Sequence, residues 1–261
     1  MQIKSKKIIL DLIVRDNIQL NDQYFLLIMS SAEPLPTMYP GQFVEIKVEN
    51  SPETFLRRPI SVNFVDIDKN EMWLLIQKVG AGTIKLSTLK ANDVLNCILP
   101  LGNTFSLPED KNASLLLIGG GVGIAPMLFL AHQLHLKGYQ QINCLIGGRN
   151  ELNLLQKDEL GKYADVYCTT EDGSFGEKGF VTNHSILKSK QFDHIYTCGP
   201  TPMMKAVAAY AEANHINCEV SLENTMACGF GVCLCCITET TEGNLCVCTE
   251  GPVFNITKLK W

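Results

Sequence analysis

The chain has 261 residues, of which 46% are hydrophobic, and its 22 basic against 27 acidic residues give a net charge of −5. This length fits two ordinary domains with a small appendage, and the mild acidic balance argues against a nucleic-acid-binding protein. No apolar run approaches the ~20 residues that a membrane helix needs. Asp11 and Arg15 interrupt the apolar stretch near the amino terminus, which we interpret as a first strand of a cytoplasmic protein rather than a secretion signal.

The first hundred residues predict an antiparallel β domain. Short runs rich in Ile, Val, Leu and Phe are separated by turn residues such as Pro40-Gly41. The predicted strands are 7–14, 24–30, 42–48, 59–65 and 72–78, with one helix at 82–90. Several short strands at this spacing predict a barrel or a sandwich.

The pattern of predicted secondary structure changes near residue 112, where strands begin to alternate with helices. The predicted strands are 114–118, 144–146, 166–168, 194–197 and 219–222, the last of which would end the sheet. Helices are predicted at 125–136 and 202–215. Such alternation predicts a parallel sheet with right-handed crossovers.

A glycine-rich turn, Gly119–Pro126, joins the first strand of this second region to its first helix. Glycines let the backbone approach an anion, and the helix amino terminus offers free N–H groups. Pro126 stands where the Rossmann fingerprint has glycine or alanine. From the turn alone, nucleotide binding and a purely steric use of glycine are both open.

Two arginines and a hydroxyl open a strand of the first region, at Arg57, Arg58 and Ser61. A guanidinium fork beside a hydroxyl suits a pyrophosphate. The alternative is a charged strand entry that faces water.

Eleven cysteines are present, and six of them crowd the carboxyl end. The six are Cys228, Cys233, Cys235, Cys236, Cys246 and Cys248. C-x4-C-x2-C followed by a later cysteine is the plant-type [2Fe–2S] spacing, and thiolates are the soft ligands that iron–sulfur clusters use. A zinc site formed by Cys233, Cys236, Cys246 and Cys248 is the alternative, although it leaves Cys228 unused. Spacing alone does not choose between Cys246 and Cys248 as the last ligand.

These features, in this order, resemble the electron-transfer subunits of two-subunit (class 1B, NAD-dependent) dihydroorotate dehydrogenases, in the ferredoxin–NADP reductase superfamily. The resemblance covers essentially the whole chain. Its specific strings are Leu-Arg-Arg-Pro-Ile-Ser at 56–61, Gly-Ala-Gly-Thr at 80–83, Pro-Leu-Gly-Asn at 100–103, the glycine turn at 119–126, Asp-Gly-Ser-Phe-Gly at 172–176, Cys-Gly-Pro-Thr-Pro at 198–202, Glu-Asn-Thr-Met-Ala-Cys-Gly-Phe-Gly-Val-Cys at 223–233 and Val-Cys-Thr-Glu-Gly-Pro-Val-Phe at 247–254.

The resemblance implies three modules and their cofactors. It implies an FAD-binding antiparallel β-barrel at 1–108, an NAD-binding α/β domain with a Rossmann-like parallel sheet at 109–221, and a [2Fe–2S] domain at 222–261. The implied FAD contacts are Arg58, Pro59, Ile60, Ser61, Leu75, Ile76, Gln77, Gly82 and Thr83. The implied NAD(H) contacts are Gly120, Gly121, Gly123, Cys198, Gly199 and Pro200. The implied cluster ligands are Cys228, Cys233, Cys236 and Cys248.

The implied function is electron transfer between NAD and the FMN of a partner catalytic subunit, in pyrimidine biosynthesis, within a heterotetramer of two plus two subunits. Dihydroorotate would be oxidised on the partner, so no catalytic acid or base is expected in this chain. We expect Cys198 to position the nicotinamide rather than act as a nucleophile. From the residues alone, Glu171 and Asp172 favour NAD over NADP, because carboxylates repel a 2′-phosphate. Two alternatives are a related NAD(P)H or ferredoxin-type oxidoreductase subunit, from a transhydrogenase or a hydrogenase diaphorase, and a zinc-binding adaptor.

Overall fold

The computed structural model describes residues 6–261, which form two seven-stranded sheets and a small hairpin. The first sheet is antiparallel, with the order β4-β3-β7-β1-β2-β6-β5, and it curls so that β4 also contacts β6. Its strands are β1 (Ile8–Gln19), β2 (Tyr24–Ser30), β3 (Phe43–Ile46), β4 (Arg58–Ser61), β5 (Phe64–Asp66), β6 (Glu71–Gln77) and β7 (Val94–Leu101), and helix α1 (Ala81–Leu86) follows β6. The predicted antiparallel domain is confirmed.

Alternation buries one face of the first sheet in a hydrophobic core. Leu12 and Val14 on β1, and Phe25, Leu27 and Met29 on β2, are completely buried. Residues between them face outward or meet the second domain, as period-2 strands require.

The predicted strand 59–65 is wrong as a single element, because the chain changes sheet partner at Val62 and Asn63. The Val62 N–H donates to the Gln42 carbonyl, 2.9 Å away on the β3 side, whereas the Asn63 N–H donates to the Trp73 carbonyl, 2.9 Å away on β6. Strand β4 therefore pairs with β3, and β5 pairs with β6. This crossing places Asn63 at the junction of the two strands.

The second sheet alternates with helices and has the order β11-β10-β9-β8-β12-β13-β16. Its parallel strands are β8 (Ser114–Gly120), β9 (Gln141–Gly148), β10 (Asp165–Thr170), β11 (Glu177–Lys178), β12 (His194–Cys198) and β13 (Asn217–Ser221). The helices are α2 (Ala125–Leu136), α3 (Lys157–Leu160), α4 (Ile186–Ser189) and α5 (Thr201–Ala213). The four residues 115–118 of β8 are all fully buried, as expected for a parallel strand covered on both faces.

The carboxyl-terminal segment returns to the second sheet. A hairpin of β14 (Ile237–Thr240) and β15 (Gly243–Cys246) is followed by β16 (Val253–Asn255), which pairs antiparallel with β13. The prediction that 219–222 ends the sheet is therefore wrong. Val253 and Phe254 bury their side chains and cover an edge that would otherwise expose unpaired backbone groups.

Helix α2 joins the two sheets. Phe64 on β5 contacts the rings of Phe129 and His132 on α2, with ring centroids 6.2 Å and 4.7 Å away. Within residues 6–261, no helix is both long and apolar enough to cross a membrane.

Candidate functional site

The glycine turn forms at the carboxyl end of β8 and leads directly into α2. Gly121–Ile124 is a single 3-10 turn, and Gly121 has a left-handed φ of +55°. A Cβ on Gly123 would lie 2.4 Å from the carbonyl oxygen of Cys198 on the neighbouring strand β12. Glycine is therefore required at 123, where the turn meets the end of β12.

An open cavity of about 640 Å³ lies above this turn. Five of the predicted nucleotide residues line it: Gly120, Gly121, Gly123, Gly199 and Pro200. Ligands of open α/β sheets bind in this position, beyond the carboxyl ends of the strands. The cavity, its glycine floor and the start of α2 therefore fit a dinucleotide.

The sequence did not single out two polar residues at this cavity, Tyr24 and Arg149. The Tyr24 hydroxyl comes from β2 and would lie 3.5 Å from a Cβ on Gly121. Burial raises the pKa of Tyr24, and the positive charge of Arg149 partly opposes that rise. Arg149 follows β9, which extends two residues beyond the predicted strand, so a longer strand prediction would have pointed to it.

Cys198 lies behind the cavity wall and is fully buried. Its thiol points to Oε1 of Glu223, with the sulfur 3.9 Å from the oxygen. Burial, and then the charge of Glu223, raise the pKa of this thiol well above its usual value. Glu223 lines the cavity and is exposed there, while desolvation of its carboxyl raises the pKa of that group. The pair therefore favours a neutral thiol over a thiolate nucleophile.

The predicted flavin residues come together on the first sheet. Arg58, Pro59, Ile60 and Ser61 form β4, and a Cβ on Gly82 at the start of α1 would lie 3.2 Å from Cδ of Arg58. The Thr83 hydroxyl accepts hydrogen bonds from the N–H groups of Val79 and Gly80, at 2.9 and 3.2 Å, and so holds this turn.

Three further flavin residues end strand β6. Leu75 and Ile76 bury their side chains in two different cores, so they present only backbone to a ligand on this sheet. Gln77 also lines the nucleotide cavity, and the two candidate sites therefore adjoin there.

Arg57 does not share the role predicted for the arginine pair. Its guanidinium donates to the carbonyl oxygens of Glu45 and Asn96, at 3.2 and 2.9 Å, and to Oδ1 of Asn96 at 2.5 Å. It therefore ties β3 to β7, which leaves Arg58 as the arginine available to a phosphate.

Glu45 is a third residue that sequence reasoning missed. It is completely buried on β3, and neither carboxyl oxygen has a hydrogen-bond partner. Burial raises its pKa to about 7, although Arg57 and Arg58 lower it. A Cβ on Gly229 would lie 2.7 Å from Cγ of Glu45, so this carboxyl packs between β4 and the cysteine loop, residues 228–236.

The cysteine loop interleaves the predicted ligands through backbone N–H groups. The Gly231 N–H donates to Sγ of Cys248 at 3.1 Å, and the Cys248 N–H donates to Sγ of Cys236 at 3.4 Å. The Cys233 N–H donates to Sγ of Cys228 at 3.5 Å. Donors directed at thiolate sulfurs are the environment of a [2Fe–2S] cluster, so the loop fits that group.

The pKa values of two predicted ligand thiols are shifted in opposite directions. Desolvation raises the pKa of Cys228, but backbone N–H groups of Cys233, Phe230 and Val232 bring it down to about 6. Desolvation and the adjacent Cys236 raise the pKa of Cys248 to about 12, because two neighbouring thiolates repel each other. Iron between them would remove that penalty.

The surplus thiols differ in their surroundings. Cys235 is exposed, as is the predicted ligand Cys233, whereas the predicted ligands Cys236 and Cys248 are buried. Cys246 is half-buried, and its backbone N–H binds the Glu250 carboxylate at 3.0 Å. Within residues 6–261, no three Cys, His, Asp or Glu side chains converge in the arrangement of a single-metal site.

Two family models match the chain. The iron–sulfur cluster binding domain of dihydroorotate dehydrogenase B matches residues 223–260, and an oxidoreductase NAD-binding domain matches residues 117–209. A dihydroorotate dehydrogenase B (NAD+) electron transfer subunit from Lysinibacillus sphaericus is 38% identical over 228 residues, covering 85% of this chain and 87% of that protein. One from Caldanaerobacter subterraneus is 41% identical, covering 83% and 85%. The chain belongs to this family.

Solved structures of other proteins share the fold of this chain. A chain of the NADH-dependent reduced ferredoxin-NADP oxidoreductase, studied for flavin-based electron bifurcation, has a TM-score of 0.85 and 27% identity, covering 96% of this chain and 90% of that one. The ferredoxin-NADP+ reductase of Plasmodium falciparum, at 17% identity and a TM-score of 0.63, covers 79% of this chain and 93% of its own and shares the fold.

The resemblance stated from the sequence motifs is thereby confirmed, as are the fold class and the oxidoreductase assignment. The cofactor set of FAD, a [2Fe–2S] cluster and NAD(H) is also confirmed for this dihydroorotate dehydrogenase B family member. The zinc-adaptor alternative is set aside, because the matching carboxyl-terminal model is an iron–sulfur domain.

Proposed function

We propose that this chain is the electron-transfer subunit of a dihydroorotate dehydrogenase B. It carries electrons between the FMN of a catalytic partner subunit and NAD, through a [2Fe–2S] cluster and FAD, in pyrimidine biosynthesis. The observation that carries the proposal is the adjacency of three sites. Gln77 on β6, one of the proposed FAD residues, also lines the nucleotide cavity. Glu45 on β3 packs between β4, which carries other proposed FAD residues, and the cysteine loop.

Each site has its own residues. For FAD we propose Arg58, Pro59, Ile60, Ser61, Leu75, Ile76, Gln77, Gly82 and Thr83. For NAD(H) we propose Gly120, Gly121, Gly123, Gly199 and Pro200, with Cys198 behind them. For the cluster we propose Cys228, Cys233, Cys236 and Cys248. Burial and the N–H bond from Gly231 favour Cys248 over Cys246 as the fourth ligand.

The flavin supplies the conversion between two-electron hydride and single electrons, and the cluster carries electrons singly. The chain's residues bind and orient these groups and shield them from solvent. N–H groups of the glycine turn and the positive charge of Arg149 hold the nucleotide phosphates. Cys198 keeps its proton behind the cavity wall, where it would offer a bound nicotinamide a neutral and unreactive surface. Arg58 neutralises flavin phosphate charge from the neighbouring strand.

The proposed modules are residues 1–108 for FAD, 109–221 for NAD and 222–261 for the cluster. Because β16 belongs to the second sheet, the boundary at 222 divides cofactor sites more than folding units.

We place the protein in the cytoplasm, as a heterotetramer of two plus two subunits. The support for this compartment is the thiol chemistry, since free thiols persist in reducing compartments.

Co-purification tests the partner. An FMN-containing barrel protein bound to the chain supports the dihydroorotate pathway. The second candidate, a subunit of a ferredoxin-dependent transhydrogenase, is favoured by the structural similarity to the ferredoxin-NADP oxidoreductase. A ferredoxin-type partner in place of the FMN protein would establish that candidate and overturn the first.

A further inference from the structure

We propose that Asn63 is a positioning residue for hydride transfer, because its side-chain amide fixes the nucleotide domain against the flavin strand. This inference rests on the proposed function. It concerns a residue between the two candidate sites rather than in either of them.

Asn63 makes all of its side-chain hydrogen bonds across the domain interface. It is completely buried. Its Nδ2 donates to the carbonyl oxygen of Ala125 at 2.9 Å and to Oε1 of Gln156 at 2.8 Å, and its Oδ1 accepts from Nε2 of Gln156 at 2.8 Å. Asn63 belongs to the first sheet and both partners to the second domain, so one side chain spans the two modules.

The two backbone ends of this link are the segments that hold the cofactors. On one side, β4 (Arg58–Ser61) ends just before Asn63. On the other side, Ala125 is the first residue of α2 and follows the glycine turn immediately. A shift of the turn relative to β4 therefore stretches the Asn63–Ala125 bond.

Gln156 supports the same interpretation. Its backbone has a left-handed φ of +54°, an unfavourable conformation for a residue other than glycine, asparagine or aspartate. Its amide forms a reciprocal pair with the amide of Asn63, so the paired geometry orients Gln156 and, after it, helix α3. Strained backbone of this kind is maintained where the surroundings determine it.

An exposed hydrogen bond from Nδ2 of Asn21 to the Leu152 carbonyl, at 2.8 Å, also joins the two domains. The buried contacts next to Asn63 are aromatic and do not set a register alone. Phe64 touches Phe129 and His132 through ring faces and edges, contacts that tolerate sliding. Hydrogen bonds are directional, and a fully satisfied buried polar group specifies one arrangement. Because a 1 Å misplacement of reacting groups can cost roughly 10²-fold in rate, such a link would matter for the step between nucleotide and flavin.

The test compares Asn63→Leu with a matched variant, Asn143→Leu, in the FAD-loaded chain. Asn143 is also a buried asparagine with two hydrogen bonds, to the Leu115 carbonyl at 3.2 Å and from Lys190 at 2.8 Å, but both lie within the second domain. Flavin reduction is followed by stopped-flow absorbance over a range of NADH concentrations. Hydrogen exchange of the glycine turn and of residues 154–160 is measured without NADH.

We expect Asn63→Leu to lower the limiting rate of flavin reduction about 10-fold or more, to change the NADH dissociation constant less than about 2-fold, and to speed exchange at both segments. Asn143→Leu should lower the melting temperature and leave the limiting rate unchanged. Gln156→Leu removes only the reciprocal amide pair and keeps the Asn63–Ala125 bond, so its limiting rate should lie between those of the wild type and Asn63→Leu. This variant replaces Asn63→Leu in the test if Asn63→Leu does not fold.

A wild-type limiting rate in a folded, flavin-loaded Asn63→Leu or Gln156→Leu chain would overturn the inference. An equal loss of rate in Asn143→Leu would overturn it too, because it would assign the effect to general destabilisation. Failure of NADH to reduce the wild-type chain would instead overturn the proposed function.

Discussion

Cys228 and Cys235 belong to the same carboxyl-terminal loop, but their thiols have different surroundings. Backbone N–H groups surround the sulfur of Cys228 and lower its pKa to about 6, overcoming the opposing desolvation. Cys235 is exposed. The lowered pKa of Cys228 favours the thiolate that a cluster ligand requires. Cys235 is not a predicted ligand, and its substitution can therefore serve as a control.

Cys228→Ser should abolish the cluster and leave the flavin. The serine hydroxyl is a harder and far less acidic ligand than the thiolate, whereas the proposed FAD residues lie on a different sheet. Iron content and visible absorption measure the cluster, and NADH should still bleach the flavin. Cys235→Ser is the control and should keep full iron content. A flavin that NADH no longer reduces in the folded Cys228→Ser chain would contradict this modular arrangement.

Nucleotide choice is also decided by single residues. Glu171 lines the cavity beyond β10. Asp172 turns away from it, because its Oδ1 accepts from the backbone N–H and the hydroxyl of Ser174, at 2.9 and 2.6 Å. The preference for NAD was predicted from both carboxylates, but only Glu171 lines the cavity.

Glu171→Arg should shift preference from NADH towards NADPH. The carboxylate would bind a ribose hydroxyl and repel a 2′-phosphate, and arginine reverses both effects. Since a charged hydrogen bond contributes about 1.5–3 kcal/mol, the ratio of kcat/KM values for NADH and NADPH should fall roughly 10- to 100-fold. Steady-state kinetics with an artificial electron acceptor measure this ratio of kcat/KM values. Asp172→Asn is the control, and an unchanged ratio in Glu171→Arg would show that the ribose lies elsewhere.

At the scale of elements, helix α2 is both the nucleotide helix and the contact with the first sheet. His132 on this helix lies between Phe64 and Tyr163, with ring centroids 4.7 and 5.0 Å away. Its Nδ1 is buried without a hydrogen-bond partner. Burial, and then the neighbouring His135, lower the pKa of His132, with Asp66 opposing.

His132→Phe should make the protein less sensitive to acid. Because the folded-state pKa is lowered, the unfolded chain binds a proton at a higher pH than the folded chain does. His132 therefore costs no stability above its unfolded pKa, and stability is lost as the pH falls below about 6.5. Phenylalanine keeps the ring contacts and cannot be protonated.

Melting temperatures of the holoprotein between pH 7.5 and 5.5 measure this effect. The wild-type value should fall further than that of His132→Phe across this range. His215→Asn, at an exposed position with φ of +56° that asparagine tolerates, is the control and should follow the wild type. Parallel curves for the wild type and His132→Phe would contradict the assignment to His132.

The elements that sequence predicts well here are those specified by neighbouring residues. The strand–glycine turn–helix unit at 114–136 is a local pattern and appears as predicted. The cysteine spacing is also local, and its segment matches an iron–sulfur domain. The strand break at Asn63 and the addition of Val253–Asn255 to the second sheet depend on partners far along the chain. Periodicity carries no information about such partners.

The same limit applies to the candidate sites. Tyr24, Glu45 and Arg149 reach them from strands or strand ends that carry no motif. Arg57 stands beside Arg58 in the sequence, but it binds Asn96 on β7 instead of facing the flavin site. The different roles of Arg57 and Arg58 are visible only in the folded structure.

At the scale of the whole molecule, the three proposed sites follow one another across the fold. The nucleotide cavity adjoins the flavin strands at Gln77, and the flavin strands adjoin the cysteine loop at Glu45. This order is what conversion of hydride into single electrons requires, since the two-electron site must lie between the nucleotide and the one-electron carrier.

An anaerobic titration of the purified chain with NADH, followed by visible absorption and calibrated by flavin and iron content, tests this order most directly. We predict one flavin and one [2Fe–2S] cluster per chain, with NADH bleaching the flavin first and the cluster absorption afterwards. A preparation that contains neither chromophore, or a cluster that NADH reduces equally fast after the flavin has been removed, would contradict the account.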